Sequence, residues 1–270
     1  MRLPDWIIIG AAKSGTTSLS AWLANHPDVW ATQYKELHYF DFDENHARGP
    51  TWYAEFFAEA GPSQKAGEAT PNYLHSPKAP ERVAALVPDA TLLAVLRHPV
   101  DRAHSHYWHQ RNWGAALPDF PTLVDAALAG DRTFEHFLTR GDYDAQLAAW
   151  AAHGLQPQVH LFEDLAGDPQ RVFAEVCDQI GVPRAEVATV GSVLNASHRR
   201  RSPRLRKAME RVQSWEWAPR ASMRLDALNT KPVPYPAMPA RTRDKLLERY
   251  ADGTDRLCER LGRPLNGWST

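Results

Sequence analysis

The stretch Ile7-Ile8-Ile9-Gly10-Ala11-Ala12-Lys13-Ser14-Gly15-Thr16-Thr17-Ser18 restricts the fold more than any other part of the chain. Residues 6–9 form an apolar run of strand length, and two glycines with several small and hydroxyl residues follow. Residues 16–25 then place Leu19, Trp22 and Leu23 on one helical face until His26-Pro27 stops the helix. A strand that turns through glycine into a helix directs free backbone N–H groups and the positive end of the helix dipole at one point, which makes an anion site. Gly10 and Gly15 let the backbone approach an anion closely. An ATP-binding loop of this kind reads G-x-x-x-x-G-K-[ST]. The glycines here have that spacing, but Thr16 stands in the lysine slot and the lysine comes earlier, at Lys13. A lysine at the loop apex suits a donor with a single phosphate bearing a transferable group.

The rest of the chain reads as α/β. Thr91–Leu96 shows no alternation, as in a central strand covered on both faces. Residues 158–162 read as another strand. Residues 168–180 carry Val172, Phe173, Val176 and Ile180 at helical spacing and end at Gly181, and Tyr250, Leu257 and Leu261 form a late stripe closed by Gly262. Strands alternating with helices imply a P-loop-like three-layer fold, a central parallel sheet flanked by helices. We expect a single domain over residues 1–270 with a C-terminal cap or lid around 195–240, because residues 215–239 are rich in Pro, Trp and Met and long loops are usually functional.

Composition removes several classes. With 43% hydrophobic and 23% charged residues, the chain is not intrinsically disordered. Lys and Arg number 31 against 32 Asp and Glu, so a nucleic-acid partner is not expected. Cys177 and Cys258 fall in helical segments and read as buried thiols. No apolar run reaches about 18 residues, so no membrane span is expected. The first strand begins too early for a leader to precede it, and the expectation is a cytoplasmic protein. Oligomeric state leaves no mark in the sequence.

A second anion site lies at residues 92–108. Arg97 ends a buried strand, where parallel sheets place their binding crevice, Pro99 opens the next helix, and Ser105 sits within it. An arginine and a helix hydroxyl can clamp a phosphate, whereas pairing of Arg97 with Asp101 would make it structural. His98, His104, His106 and His109 make a poor metal site, since 104 and 106 point about 200° apart on a helix, and no metal is expected. In an extended segment Glu36 and His38 would point to one side with Leu37 opposite, able to take a proton from an acceptor. Residues 195–207 hold six basic side chains: Arg199, Arg200, Arg201, Arg204, Arg206 and Lys207.

These motifs together resemble the sulfotransferases that use 3′-phosphoadenosine 5′-phosphosulfate (PAPS). Lys13, Ser14, Gly15, Thr16, Thr17 and Ser18 match the 5′-phosphosulfate loop of that family. Residues 92–108 resemble its 3′-phosphate motif, with Arg97 and Ser105 in the binding positions. Residues 36–41 are similar to the E-x-H-[FY]-F-D segment of the heparan-sulfate-type branch, whose glutamate is the general base, and His38 matches the accompanying histidine. Glu68-Ala69-Thr70-Pro71-Asn72-Tyr73 resembles that branch's E-K-T-P-x-Y, with Ala69 in place of the lysine, and Ser76-Pro77-Lys78 follows. Residues 195–201 occupy the place of the late basic loop, which nominates Arg199, Arg200 and Arg201 as nucleotide contacts. The chain lacks the anchor and late cysteine pair of the animal Golgi enzymes and looks like a bacterial-type member.

The resemblance implies catalysis by Glu36, Lys13 and His38. The sulfuryl group would pass from PAPS to a hydroxyl or amine on a small-molecule or glycan acceptor, releasing 3′-phosphoadenosine 5′-phosphate (PAP). Two alternatives stand beside it: a P-loop kinase using ATP and magnesium, and a non-catalytic protein that binds nucleotide or an acidic partner through residues 199–207.

Overall fold

The computed structural model describes residues 1–34, 36–192, 198–200, 230–232 and 235–268. Five strands, β1 (Trp6–Gly10), β2 (Val29–Ala31), β3 (Lys65–Ala69), β4 (Thr91–Leu96) and β5 (Gln158–Leu161), form one parallel sheet in the order β2-β3-β1-β4-β5. Ile7 lies opposite Glu68 on one side and Leu92 on the other, so the first strand of the chain is the middle of the sheet.

Helices cover both faces: α1 (Thr16–Leu23), α2 (Asp43–His46), α3 (Gly49–Glu55), α4 (Ala79–Leu86), α5 (Pro99–Asn112), α6 (Phe120–Leu128), α7 (Arg132–Thr139), α8 (Tyr143–Ala151), α9 (Phe162–Gly167), α10 (Pro169–Ile180) and α11 (Ala240–Leu261). Because side chains alternate along a strand, β1 feeds two cores. Trp6 and Ile8 join Leu93, Val95, Leu19, Trp22, Val172, Phe173 and Val176 on one face. Ile7 and Ile9 join Leu92, Leu96, Phe40, Tyr53, Tyr73, Trp150 and Leu257 on the other. A third apolar cluster, with Val100, Tyr107, Leu123, Phe137, Leu246 and Tyr250, binds α5, α6, α7 and α11 together.

The strands and helices expected from the pattern are present, with shifted ends. The first helix stops at Leu23 rather than Asn25, and β5 ends at Leu161 because Phe162 opens α9. Asp168 caps α10, accepting from the Arg171 N–H, and Gly181 and Gly262 close α10 and α11 in the left-handed conformation. Cys177 is buried and Cys258 only partly so, which corrects the expectation of two buried thiols, and both are free. Of the cap region at 195–240, the described backbone includes β6 (His198–Arg200) and β7 (Thr230–Pro232), an antiparallel pair. Most of that region lies outside the described residues. Among the described residues no helix is long and apolar enough to cross a membrane.

Candidate active site

The donor-side loop hangs between β1 and α1 over the end of β4. The Ala11 N–H donates to the Val95 carbonyl (2.8 Å), and the Ser14 N–H closes the turn on the Ala11 carbonyl (3.2 Å). Lys13, at the apex, has φ +75°. Gly15 caps α1 at φ +87°, and a Cβ there would press on Leu165 and Phe162 at 3.0 Å. Ser14, Thr16 and Ser18 are buried and Thr17 half-buried. The Ser14 hydroxyl lies beside the Tyr143 phenol without good hydrogen-bond geometry to it, a buried loop hydroxyl without a partner.

Arg97 leaves β4 at this loop. Its Nη1 donates to the Lys13 carbonyl (3.4 Å), its guanidinium lies 4.8 Å from the centre of the Phe162 ring, and its own carbonyl accepts from the Tyr143 hydroxyl (3.0 Å). Asp101 pairs with Arg243 at 2.9 Å. Ser105 is buried on α5. The side chain of Lys13 reaches the same helix, with Nζ 3.1 Å from His109 Nδ1.

The acceptor side corrects one expectation. Residues 36–38 are not extended: Glu36 has φ +64° and His38 φ +52°, so their convergence does not come from strand alternation. The side chains nevertheless meet, with His38 Nε2 3.7 Å from Glu36 Oε2. His38 Nδ1 bonds Asp41 at 2.8 Å, and Phe42 stacks on the ring at 4.2 Å. Burial works against the charged imidazole, but the hydrogen bonds and charges of Asp41 and Glu36 outweigh it and raise His38 to about 9. Lys13, Glu36 and His38 are the three positive-φ non-glycine residues among the described ones. Such a conformation costs on the order of 1–3 kcal/mol each and concentrates at functional sites.

Buried hydrogen bonds hold this segment. The Glu36 N–H donates to the Ala69 carbonyl at the end of β3 (3.0 Å). Glu68, 1% exposed, accepts from Tyr53 (2.8 Å), Tyr73 (3.0 Å) and Thr70 (2.6 Å), while burial raises its pKa against those donors. The Tyr73 oxygen in turn accepts the Tyr39 N–H at 2.9 Å. Arg140, just after α7, donates to Asn72 Oδ1 (2.9 Å). Burial and the adjacent Arg102 guanidinium lower Arg140 to about 10, against the pull of Asp41 and Glu36. Sequence reasoning did not nominate Asp41, Tyr73 or Arg140. Asp41 and Tyr73 each left a signal, as the last residues of the 36–41 and 68–73 motifs, and Arg140 left none.

The sulfotransferase domain family matches residues 3–220. The chain belongs to that family. A human bifunctional heparan sulfate N-deacetylase/N-sulfotransferase 3 is 32% identical over 199 residues, covering 67% of this chain and 22% of its own. A mouse bifunctional heparan sulfate N-deacetylase/N-sulfotransferase 1 is 40% identical over 166 residues, 58% of this chain and 17% of the other. The chain thus spans about a fifth of the length of these curated relatives. Among solved structures, a sulfotransferase from Alicyclobacillus acidocaldarius superposes with a TM-score of 0.75 at 26% identity, covering all of both chains. The sulfotransferase domain from the curacin biosynthetic pathway shares the fold, with a TM-score of 0.50 at 16% identity over 93% of this chain and 99% of that one. The kinase alternative is set aside by this membership.

Within the sulfotransferase frame, the remaining nominated residues separate. Arg199 and Arg200 belong to β6, whose backbone lies beside α5, and Arg201 is outside the described residues. The four histidines serve four purposes. His98 caps α5, His104 accepts from the Trp108 indole (2.8 Å), His106 is buried against Phe137, and His109 meets Lys13. Among the described residues no three His, Cys, Asp or Glu side chains are grouped to hold a metal.

Proposed function

We propose that the chain transfers the sulfuryl group of PAPS to a hydroxyl or amine on a small-molecule or glycan acceptor, releasing PAP. The observation that carries the reading is that Glu36, His38 and Asp41 converge beyond the C-terminal ends of the parallel strands, on the same side of the sheet as the Lys13 loop. The loop suits a phosphosulfate: its buried Ser14 hydroxyl has no hydrogen-bond partner among the described residues, and Gly15 stands at the helix N-terminus. Lys13, Ser14, Gly15, Thr16, Thr17 and Ser18 would hold the phosphosulfate. Arg97 and Ser105 would hold the 3′-phosphate, with Arg199, Arg200 and Arg201 the cations closing over it.

In the transfer, the bond from sulfur to the bridging phosphate oxygen breaks as the acceptor oxygen or nitrogen bonds to sulfur. The acceptor's proton passes to Glu36, and negative charge collects on the departing phosphate, where Lys13 and the loop N–H groups face it. An imidazole raised to about 9 is protonated at neutral pH and is no base. His38 therefore acts as a cation that orients the Glu36 carboxylate, itself aligned by Asp41. The heparan sulfate N-sulfotransferase relatives make an amine on a glycan a natural first acceptor to test. The enzyme would work in the cytoplasm without a metal, as one domain over residues 1–270 with a cap around 195–240.

Calorimetry with PAP, AMP and ATP tests the donor. PAP should bind much more tightly than AMP, and Arg97→Ala should weaken PAP selectively. Equal affinity of the wild-type protein for AMP and PAP, or strict magnesium dependence of turnover, would overturn the reading.

A further inference from the structure

Ser105 and His109 are four residues apart on α5 and therefore share a face of the helix. Ser105 is placed above as a contact for the donor's 3′-phosphate. One turn further along, the Lys13 ammonium lies 3.1 Å from His109 Nδ1. An ammonium has donors and no acceptor, so the contact is a hydrogen bond only when Nδ1 is bare and the imidazole proton sits on Nε2. Lys13 is fixed at its other end as well, by the left-handed backbone and by the Arg97 guanidinium on its carbonyl. Two elements that follow one another in the chain, β4 and α5, thus hold both ends of one residue of the loop.

A lysine head on a four-carbon stem carries about 2 kcal/mol of rotamer entropy. Catalysis by charge stabilisation depends on the charge already being in place as the transition state forms.

We propose that His109 is a positioning residue for the loop lysine, a neutral imidazole that holds the Lys13 ammonium in its working direction before and during transfer. This role rests on the sulfuryl-transfer reading of the site. His109 does not touch the reacting atoms; it acts through Lys13.

The test uses PAPS with water as the acceptor: the sulfur–bridging oxygen bond breaks, a water oxygen bonds to sulfur, the proton goes to solvent, and released PAP is measured. His109→Leu should lower the rate at saturating PAPS by about tenfold, within the range that loosened positioning costs, while leaving PAP affinity and melting temperature unchanged. His109→Asn, whose Oδ1 falls near the place of Nδ1, should keep most of the rate. Nitrogen-15 spectra of the wild-type imidazole at neutral pH, with and without PAP, should show a neutral ring protonated on Nε2, and Lys13→Ala should shift the Nδ1 signal.

Wild-type turnover in His109→Leu, equal impairment of the Asn and Leu variants, or a ring protonated on Nδ1 would each overturn the role while leaving the transfer reading in place. A wild-type protein that neither binds PAP nor consumes PAPS would bring down the transfer reading and this role with it.

Discussion

On the donor side, the nominated residues with described side chains stand at or beyond a seam between strand and helix: Lys13 and Gly15 between β1 and α1, Arg97 between β4 and α5, and Ser105 within α5. On the acceptor side, Glu36, His38 and Asp41 lie in irregular chain between β2 and α2. They are held by a relay of buried side chains from Glu68 through Tyr73 to the Tyr39 N–H. The loop of the first half is placed largely by backbone hydrogen bonds, with the Arg97 guanidinium and His109 holding Lys13 beside them. The second depends on a few hydroxyls and one buried carboxylate. A fold can keep its donor grip while the acceptor side changes, and the acceptor side is the easier one to break by single substitution.

The largest expected effects lie at the chemistry itself. Glu36→Gln keeps the shape but removes the basicity, and should lower turnover at least about 100-fold with little change in PAP affinity. Lys13→Ala should cost on the order of 100- to 1,000-fold in rate and also spare folding. If Glu36→Gln retains more than about a tenth of wild-type turnover while His38→Ala is dead, the roles of the two residues are reversed.

A smaller effect should appear in the pH dependence of stability. The folded pKa of His38, about 9, lies above its ordinary value near 6.5, so the native state binds the extra proton. The stabilisation is fully present below about pH 6.5 and is lost as pH rises through about 9. Its size is on the order of 3 kcal/mol, and Asp41→Asn should flatten the slope. Urea melts of both proteins between those limits measure it.

Tyr73→Phe attacks the relay alone. It strips a donor from Glu68 and the acceptor from the Tyr39 N–H, and should cost about 1–2 kcal/mol of stability with a loss of turnover. PAP affinity should not change, and a matching loss of PAP binding would show that the two halves are not independent. The mildest test compares Lys13→Gly with Lys13→Ala. Both lose the ammonium, yet glycine accepts φ +75° at no steric cost, so it should be more stable by about 1 kcal/mol.

This division also explains what the sequence could reveal. The donor half was legible because strand, glycine turn and helix each leave a local pattern, and Arg97 and Ser105 keep fixed places relative to Pro99. The left-handed Glu36 and His38 were hidden, since neither is the glycine, asparagine or aspartate that usually marks that conformation. Strand β3, Lys-Ala-Gly-Glu-Ala, was not foreseen because it has no β-branched residue. Tertiary packing makes it a strand: Gly67 lies directly under the Trp6 ring, where a Cβ would come within 2.2 Å. Arg140 was invisible because only the fold brings residue 140 to residue 72.

The central position of β1 bears on how the chain is made. Trp6, Ile7, Ile8 and Ile9 are fully buried in the finished sheet, yet one neighbouring strand begins at Lys65 and the other at Thr91. Leu257 of α11, packed into the core on one face of the sheet, comes much later. At a synthesis rate of roughly 5–20 residues per second, this apolar segment waits several seconds on the ribosome with both edges unpaired. The molecule is therefore most exposed to aggregation while it is being translated, and co-expressed chaperones that bind short apolar segments should raise the yield of native protein more than any change of buffer afterwards.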